Sequence, residues 1–249
     1  MPSIEPFPLV VATLTFLLAG FVKGVIGLGL PTVSMGLLSV VMAPAKAASL
    51  LIVPSFVTNV WQLAAGPSFR RLAYRLWPML AGVVLGTLAG TGLLTGSHAG
   101  QAAIALGLLL MLYAVLGLTS VRFSVAPAAE WWLGPLIGAL TGLATAATGV
   151  FAIPAVPYLG ALGLDKEEMI QALGLSFTVS TIALAAALAA GGAFALGDVG
   201  VSSVALAPAL LGMVAGGALR GRFSEQTFRR VFFGGLLVLG AHLASRAVL

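Results

Sequence analysis

Apolar residues fill most of the chain in runs separated by short polar connections. Ten runs stand out, at roughly 8–22, 30–42, 47–65, 76–95, 101–119, 131–148, 150–163, 169–191, 201–219 and 229–247. Ala102–Thr119 and Ile170–Leu196 contain no charged residue at all. Such a stretch of about 20 residues is what a helix needs to cross a ~30 Å hydrocarbon core. The pattern therefore predicts an all-α polytopic membrane protein with about 8–10 helical segments.

Two runs, 8–22 and 150–163, are too short to cross as straight helices. Each borders a break rich in small residues. The first break is Gly24-Val25-Ile26-Gly27-Leu28-Gly29-Leu30-Pro31, and the second is Thr145-Ala146-Ala147-Thr148-Gly149-Val150-Phe151-Ala152-Ile153-Pro154. Pro suits the first turn of a new helix, where its missing N–H matters least. Both regions read as discontinuous helices or re-entrant hairpins, with new helices starting near Leu30 and near Val150. Gly20-x-x-x-Gly24 precedes the first break and Gly138-x-x-x-Gly142 the second. Each break is followed by a short apolar helix, a charged loop and a long apolar helix. This order predicts two five-segment repeats, residues 1–124 and 125–249, each opening with a broken helix. Five is odd, so the repeats are expected to be inverted, with their break tips meeting near the midplane. Paired interrupted segments of this kind point to a transporter binding site.

The basic residues set the orientation. With the N-terminus outside, Arg70, Arg71, Arg75, Arg122, Lys166, Arg220, Arg222, Arg229 and Arg230 fall inside, and only Lys46 and Arg246 fall outside. The positive-inside rule selects that arrangement, with both termini outside a cell inner membrane. The segment Met1-Pro2-Ser3-Ile4-Glu5-Pro6 lacks the basic region of a cleavable signal peptide, so the first run is expected to be retained.

Composition sharpens the class. Hydrophobic residues make up 60% of the chain and charged residues 8%, too few to wet the surface of a soluble domain. The net charge of +5 lies in short loops and is no sign of nucleic-acid binding. The absence of Cys excludes thiolate metal sites and Cys nucleophiles. The seven acids all fall near segment ends, which argues against a cation pathway or a carboxylate proton relay. No motif for hydrolysis or nucleotide binding is present, so neither an enzyme nor a cofactor is expected.

Lys23 is the only basic residue deep in an apolar stretch. It either binds an anion or snorkels to an interface from a helix end. The two breaks offer backbone N–H groups and helix-dipole ends to an anion, or serve as close-packing joints. Asn59 and Gln62 share a helix face and suit either substrate oxygens or a neighbouring helix. Gln171, Ser176, Thr178 and Thr181 form a similar, weaker set, since intramembrane hydroxyls often bond their own backbone. The candidate substrate contacts are thus Lys23, Gly27, Gly29, Leu30, Asn59, Gln62, Thr148, Gly149, Val150, Gln171 and Ser176.

Lys23-Gly24-Val25-Ile26-Gly27-Leu28-Gly29-Leu30-Pro31, with Val53-Pro54 and Thr58-Asn59-Val60-Trp61-Gln62, resembles the sulfite exporter TauE/SafE family. Gly142–Pro157 with Gly174-Leu175-Ser176 resembles that family's second repeat, although Gly149-Val150-Phe151 stands where the family has a glycine cluster. The resemblance implies a transporter of sulfite, small organosulfonates or other organic anions, working by alternating access around a midplane site. Its partners would be a small anionic substrate and the lipid bilayer, with protons a candidate coupling ion. An anion channel with the same site, or a carboxylate transporter, is the alternative.

The orientation is directly testable because the native chain has no Cys. A single Cys at Ser97 should react with an impermeant reagent added outside intact cells, and one at Ser68 should not; the opposite pattern would reverse the topology.

Overall fold

The computed structural model describes residues 6–95, 99–119, 123–222 and 224–246, and their regular structure is helical. The order is α1 (Pro6–Ile26), α2 (Leu30–Val41), α3 (Pro44–Ala64), α4 (Phe69–Ala89), α5 (Ala99–Thr119), α6 (Glu130–Thr148), α7 (Ala155–Gly160), α8 (Lys166–Ala190), α9 (Leu196–Val204), α10 (Leu206–Leu219) and α11 (Glu225–Arg246). Five stretches among the described residues are long and apolar enough to cross a membrane: Pro44–Ala64, Phe69–Ala89, Gly100–Thr119, Lys166–Ala190 and Gly197–Arg222. The exterior is apolar as well. Leu14, Leu85, Leu108, Leu211 and Val238 are each more than half exposed, which suits lipid and not water.

The structure corrects two expectations about the breaks. The first apolar run does not stop at residue 22: α1 continues through Lys23 to Ile26, with Val10–Ile26 as its apolar part, shorter than the five spans. The helix ends only where Gly27 and Gly29 take φ of 80° and 105°, a region that side chains with a Cβ avoid. The short arm is α2, with 12 residues and Pro31 in its first turn. In the second half no helix starts near Val150. After Gly149, at φ 71°, residues 150–154 are non-helical, and the six-residue α7 begins at Ala155. Ile153 precedes Pro154, and a residue before proline is disfavoured in the α region. Both halves thus carry a long helix, a break and a short helix. Arg122, Ser97 and Glu5 lie outside the described residues, as does the side chain of Arg246.

Glycines set the closest helix crossings. Gly20 and Gly24 of α1 pack on Ala209, Met213 and Gly216 of α10, whose Gly212 and Gly216 pack back on Leu17 and Phe21. Gly138 and Gly142 of α6 pack on Met79 and Val83 of α4, whose Gly82 and Gly86 pack back on Pro135 and Ala139. At these crossings main chain meets main chain, and any Cβ would overlap a carbonyl of the partner helix. Close approach of this kind is how helices associate in lipid, where no hydrophobic force separates them from the solvent. The other principal interfaces pair α5 with α11 and α3 with α8.

Pro54 lies inside α3 and has no N–H for the Leu50 carbonyl. Ser202 of α9 fills that gap. Its hydroxyl donates to the Leu50 oxygen at 2.7 Å and accepts from the Val53 N–H at 3.1 Å. Ion pairs close the bundle at its ends. Arg75 binds Glu130 through two bonds of 2.8 and 2.6 Å and also donates to the Leu162 carbonyl at 2.9 Å. Arg71 pairs with Glu168, and Lys46 pairs with Asp198 at 3.2 Å.

The crossings predict a contrast between two glycines. Gly142→Ala places a methyl against the Val83 carbonyl and the Thr87 nitrogen, an overpacking that should cost about 1–3 kcal/mol. Gly234→Ala meets nothing within 4 Å and should be neutral or gain up to ~1 kcal/mol from helix propensity. Thermal unfolding in one detergent compares them; equal stability would count against main-chain packing at α4–α6.

Candidate functional site

Lys23 sits in the last turn of α1 and is only 3% exposed. Its ammonium donates to Asn59 Oδ1 on α3. Asn59 Nδ2 donates to Thr181 Oγ1 on α8 at 3.3 Å, and that hydroxyl donates on to the Phe177 carbonyl at 2.7 Å. Donor and acceptor roles fix the order: an ammonium only donates, so the amide oxygen must face it. The chain Lys23–Asn59–Thr181 ties α1, α3 and α8 together. Among the described residues no carboxylate pairs with Lys23; its partner is a neutral amide.

Two glutamines support this chain. Gln62 Nε2 donates to the Gly27 carbonyl at 2.9 Å and to the Ile170 carbonyl at 3.0 Å, so α3 holds the first break against α8. Gln171 Nε2 donates to the Leu63 and Gly66 carbonyls at 2.8 and 2.5 Å, and its Oε1 accepts from the Ser68 N–H at 2.8 Å. Arg220, just past α10, donates from Nε and Nη2 to the Gly24 carbonyl at 3.2 and 2.8 Å. It satisfies an oxygen at the end of α1, one residue from Lys23.

Lys23, Gln62 and Arg220 border a cavity of about 490 Å³, lined also by Gly27, Thr58 and Glu167, among others. It holds two cations against one carboxylate. An ammonium and an anchored guanidinium with donors to spare can hold a small oxyanion.

Not every sequence-based candidate reaches this cavity. Lys23, Gly27 and Gln62 line it, and Asn59 stands directly behind Lys23. Gly29 packs on Val22 and Phe232, and Leu30 is fully buried in the core. Gly149 packs on Met35 of α2, and the Val150 N–H is taken by Thr148 Oγ1 at 3.2 Å. Ser176 lies about 200° around α8 from Gly174, the residue that meets Leu63 of α3, and so turns away from Lys23. Gln171 is committed to the backbone of the α3–α4 connection. In the other direction, sequence reasoning read Arg220 and Glu167 only as loop charges. The signal that places Arg220 is the matched glycine spacing of α1 and α10, which aligns the ends of those helices.

The bundle and its lipid-compatible exterior, with a cationic cavity at Lys23, define a multi-pass helical membrane protein. A family model described as sulfite exporter TauE/SafE matches residues 12–243, nearly the whole chain. The chain belongs to that family. No curated protein and no solved structure matches it.

The bonds of Gln171 give it a structural role that can be measured. Gln171→Ala should lower stability by about 1–3 kcal/mol, since it strands two carbonyls and an N–H, while anion affinity in the folded fraction stays within about two-fold. A large loss of affinity at unchanged stability would make Gln171 a ligand contact instead.

Proposed function

We propose that the protein is a secondary transporter of small anions, sulfite or small organosulfonates, and that the anion binds at Lys23. The carrying observation is a buried ammonium on a neutral amide at the edge of a cavity. A desolvated cation without a counter-ion is costly. An anion entering the cavity relieves that cost and takes the place of Asn59 Oδ1 on the ammonium. Arg220 supplies the second positive group, and Gln62 holds the broken end of α1 in position. Membership in a family described as sulfite exporters supports an oxyanion of sulfur as the substrate.

Alternating access follows from the two halves, residues 1–124 and 125–249, acting as inverted repeats. The helix packing supports this reading. Match α1 with α6, α2 with α7, α3 with α8, α4 with α9–α10, and α5 with α11. Exchanging the halves then turns the α1–α10 interface into α6–α4, and leaves the α3–α8 and α5–α11 interfaces unchanged. The glycine crossings exchange in the same way. Movement of one repeat against the other would expose the site to each side of the inner membrane in turn. Protons are the candidate coupling ion, and the termini face outside.

Lys23→Met removes the charge and keeps the length. Calorimetric titration with sulfite should show a loss of about ten- to hundred-fold in affinity, the worth of a charge-assisted bond, in a monodisperse protein. Asn59→Asp, which supplies a permanent counter-ion, should lose binding as well. Wild-type affinity in both variants would move the anion away from Lys23.

A further inference from the structure

A second cavity, of about 660 Å³, lies on the other side of the α1 end from the Lys23 site. Its walls are apolar, with Val25, Ile26 and Leu28 on one side and Met169, Leu173 and Phe228 on the other. Two cations, Lys166 and Arg220, border it, and no carboxylate does among the described residues. Lys166 makes no ion pair among the described residues. The cavity therefore asks for a ligand with a negative group and an apolar body.

Phe228 also borders a third cavity, of about 360 Å³, which has almost no polar lining. That groove runs along α11 past Phe232, Gly235 and Leu239, an i, i+3, i+7 stripe. Its opposite wall is Leu18 and Val22 of α1, with Val33 and Leu37 of α2. Leu18 is 49% exposed and Val231 71% exposed, so the groove lies on the outer, lipid-facing surface. The two cavities meet at Phe228, so a chamber with two cations adjoins an apolar groove directed along the helices.

We infer that this composite site holds an anionic phospholipid, with its phosphate between Lys166 and Arg220 and an acyl chain in the groove between α1, α2 and α11. Charge complementarity selects an anionic headgroup, and the joined groove selects a lipid over a free phosphate. A lysine or arginine close to an anionic headgroup contributes about 1 kcal/mol, or about five-fold in affinity. Because Arg220 borders the Lys23 cavity as well as the second one, the lipid sits against the residue that closes the end of α1.

The test is native mass spectrometry of the full chain in detergent. Phosphatidylglycerol and phosphatidylcholine of matched acyl chains are offered together, and glycerol phosphate is offered in a separate arm. The wild-type protein should retain phosphatidylglycerol at least about ten-fold over phosphatidylcholine. Lys166→Gln should lower that preference about five-fold. Gly235→Trp is the groove variant, since no atom lies within 4 Å of where its Cβ would stand; it should abolish retention of either lipid in a monodisperse protein. Equal retention of the two lipids, no effect of Lys166→Gln, or unchanged retention by Gly235→Trp would overturn the proposal. Displacement of the lipid by equimolar glycerol phosphate would also overturn it, by making this a free-phosphate site.

Discussion

A peptide group in hydrocarbon has no water to bond, so each one must find its partner inside the protein. That constraint organises the interior of this molecule. At four interruptions of the helical ladder, a side chain from a distant part of the chain completes it. Ser202 serves the carbonyl freed by Pro54, Gln62 serves Gly27, Gln171 serves the α3–α4 connection, and Arg220 serves Gly24. Each partner comes from a distant part of the chain, so the irregular backbone is also the glue between helices. The glycine crossings make this possible, because only helices in main-chain contact bring such short and medium side chains within reach.

With the backbone so supplied, Lys23 stands apart. Its ammonium completes no helix end and pairs with no acid among the described residues. An amide oxygen satisfies one of its three donors without neutralising its charge. The support around it is stiff: Asn59 is oriented by Thr181, and the turn after Lys23 is held by Gln62 and Arg220. Preorganised donors of this kind need little rearrangement when a charged ligand arrives, and little ordering cost is then set against binding.

Much of this was legible in the sequence, for physical reasons. An ionisable residue in an apolar run is costly enough to single out Lys23, and glycine pairs ahead of proline mark breaks. The three-residue spacing of Asn59 and Gln62 put both on the face that meets Lys23 and Gly27. Other features depend on tertiary pairing. α8 is buried nearly all round, so its sequence has no polar stripe to tell the side of Gly174 from that of Ser176. Arg220 sits at a helix end like the other arginines, and only the α1–α10 crossing brings it to Gly24. The end of α1 is not legible from the apolar run alone, because Lys23 ends that run, whereas a lysine bonded to a neighbouring amide does not disturb the helix.

The ion pairs have a further consequence. Lys46–Asp198, Arg71–Glu168 and Arg75–Glu130 each join residues 1–124 to residues 125–249, and in every case the cation lies in the first half. Lys46 and Glu168 are both the third residue of their helices, α3 and α8; Arg71 and Asp198 are both the third residue of theirs, α4 and α9. Under the proposed correspondence of the halves, two copies of the first would set Lys46 against Arg71. Two copies of the second would set Glu168 against Asp198. Under that correspondence the charges favour contact between unlike halves over contact between like halves.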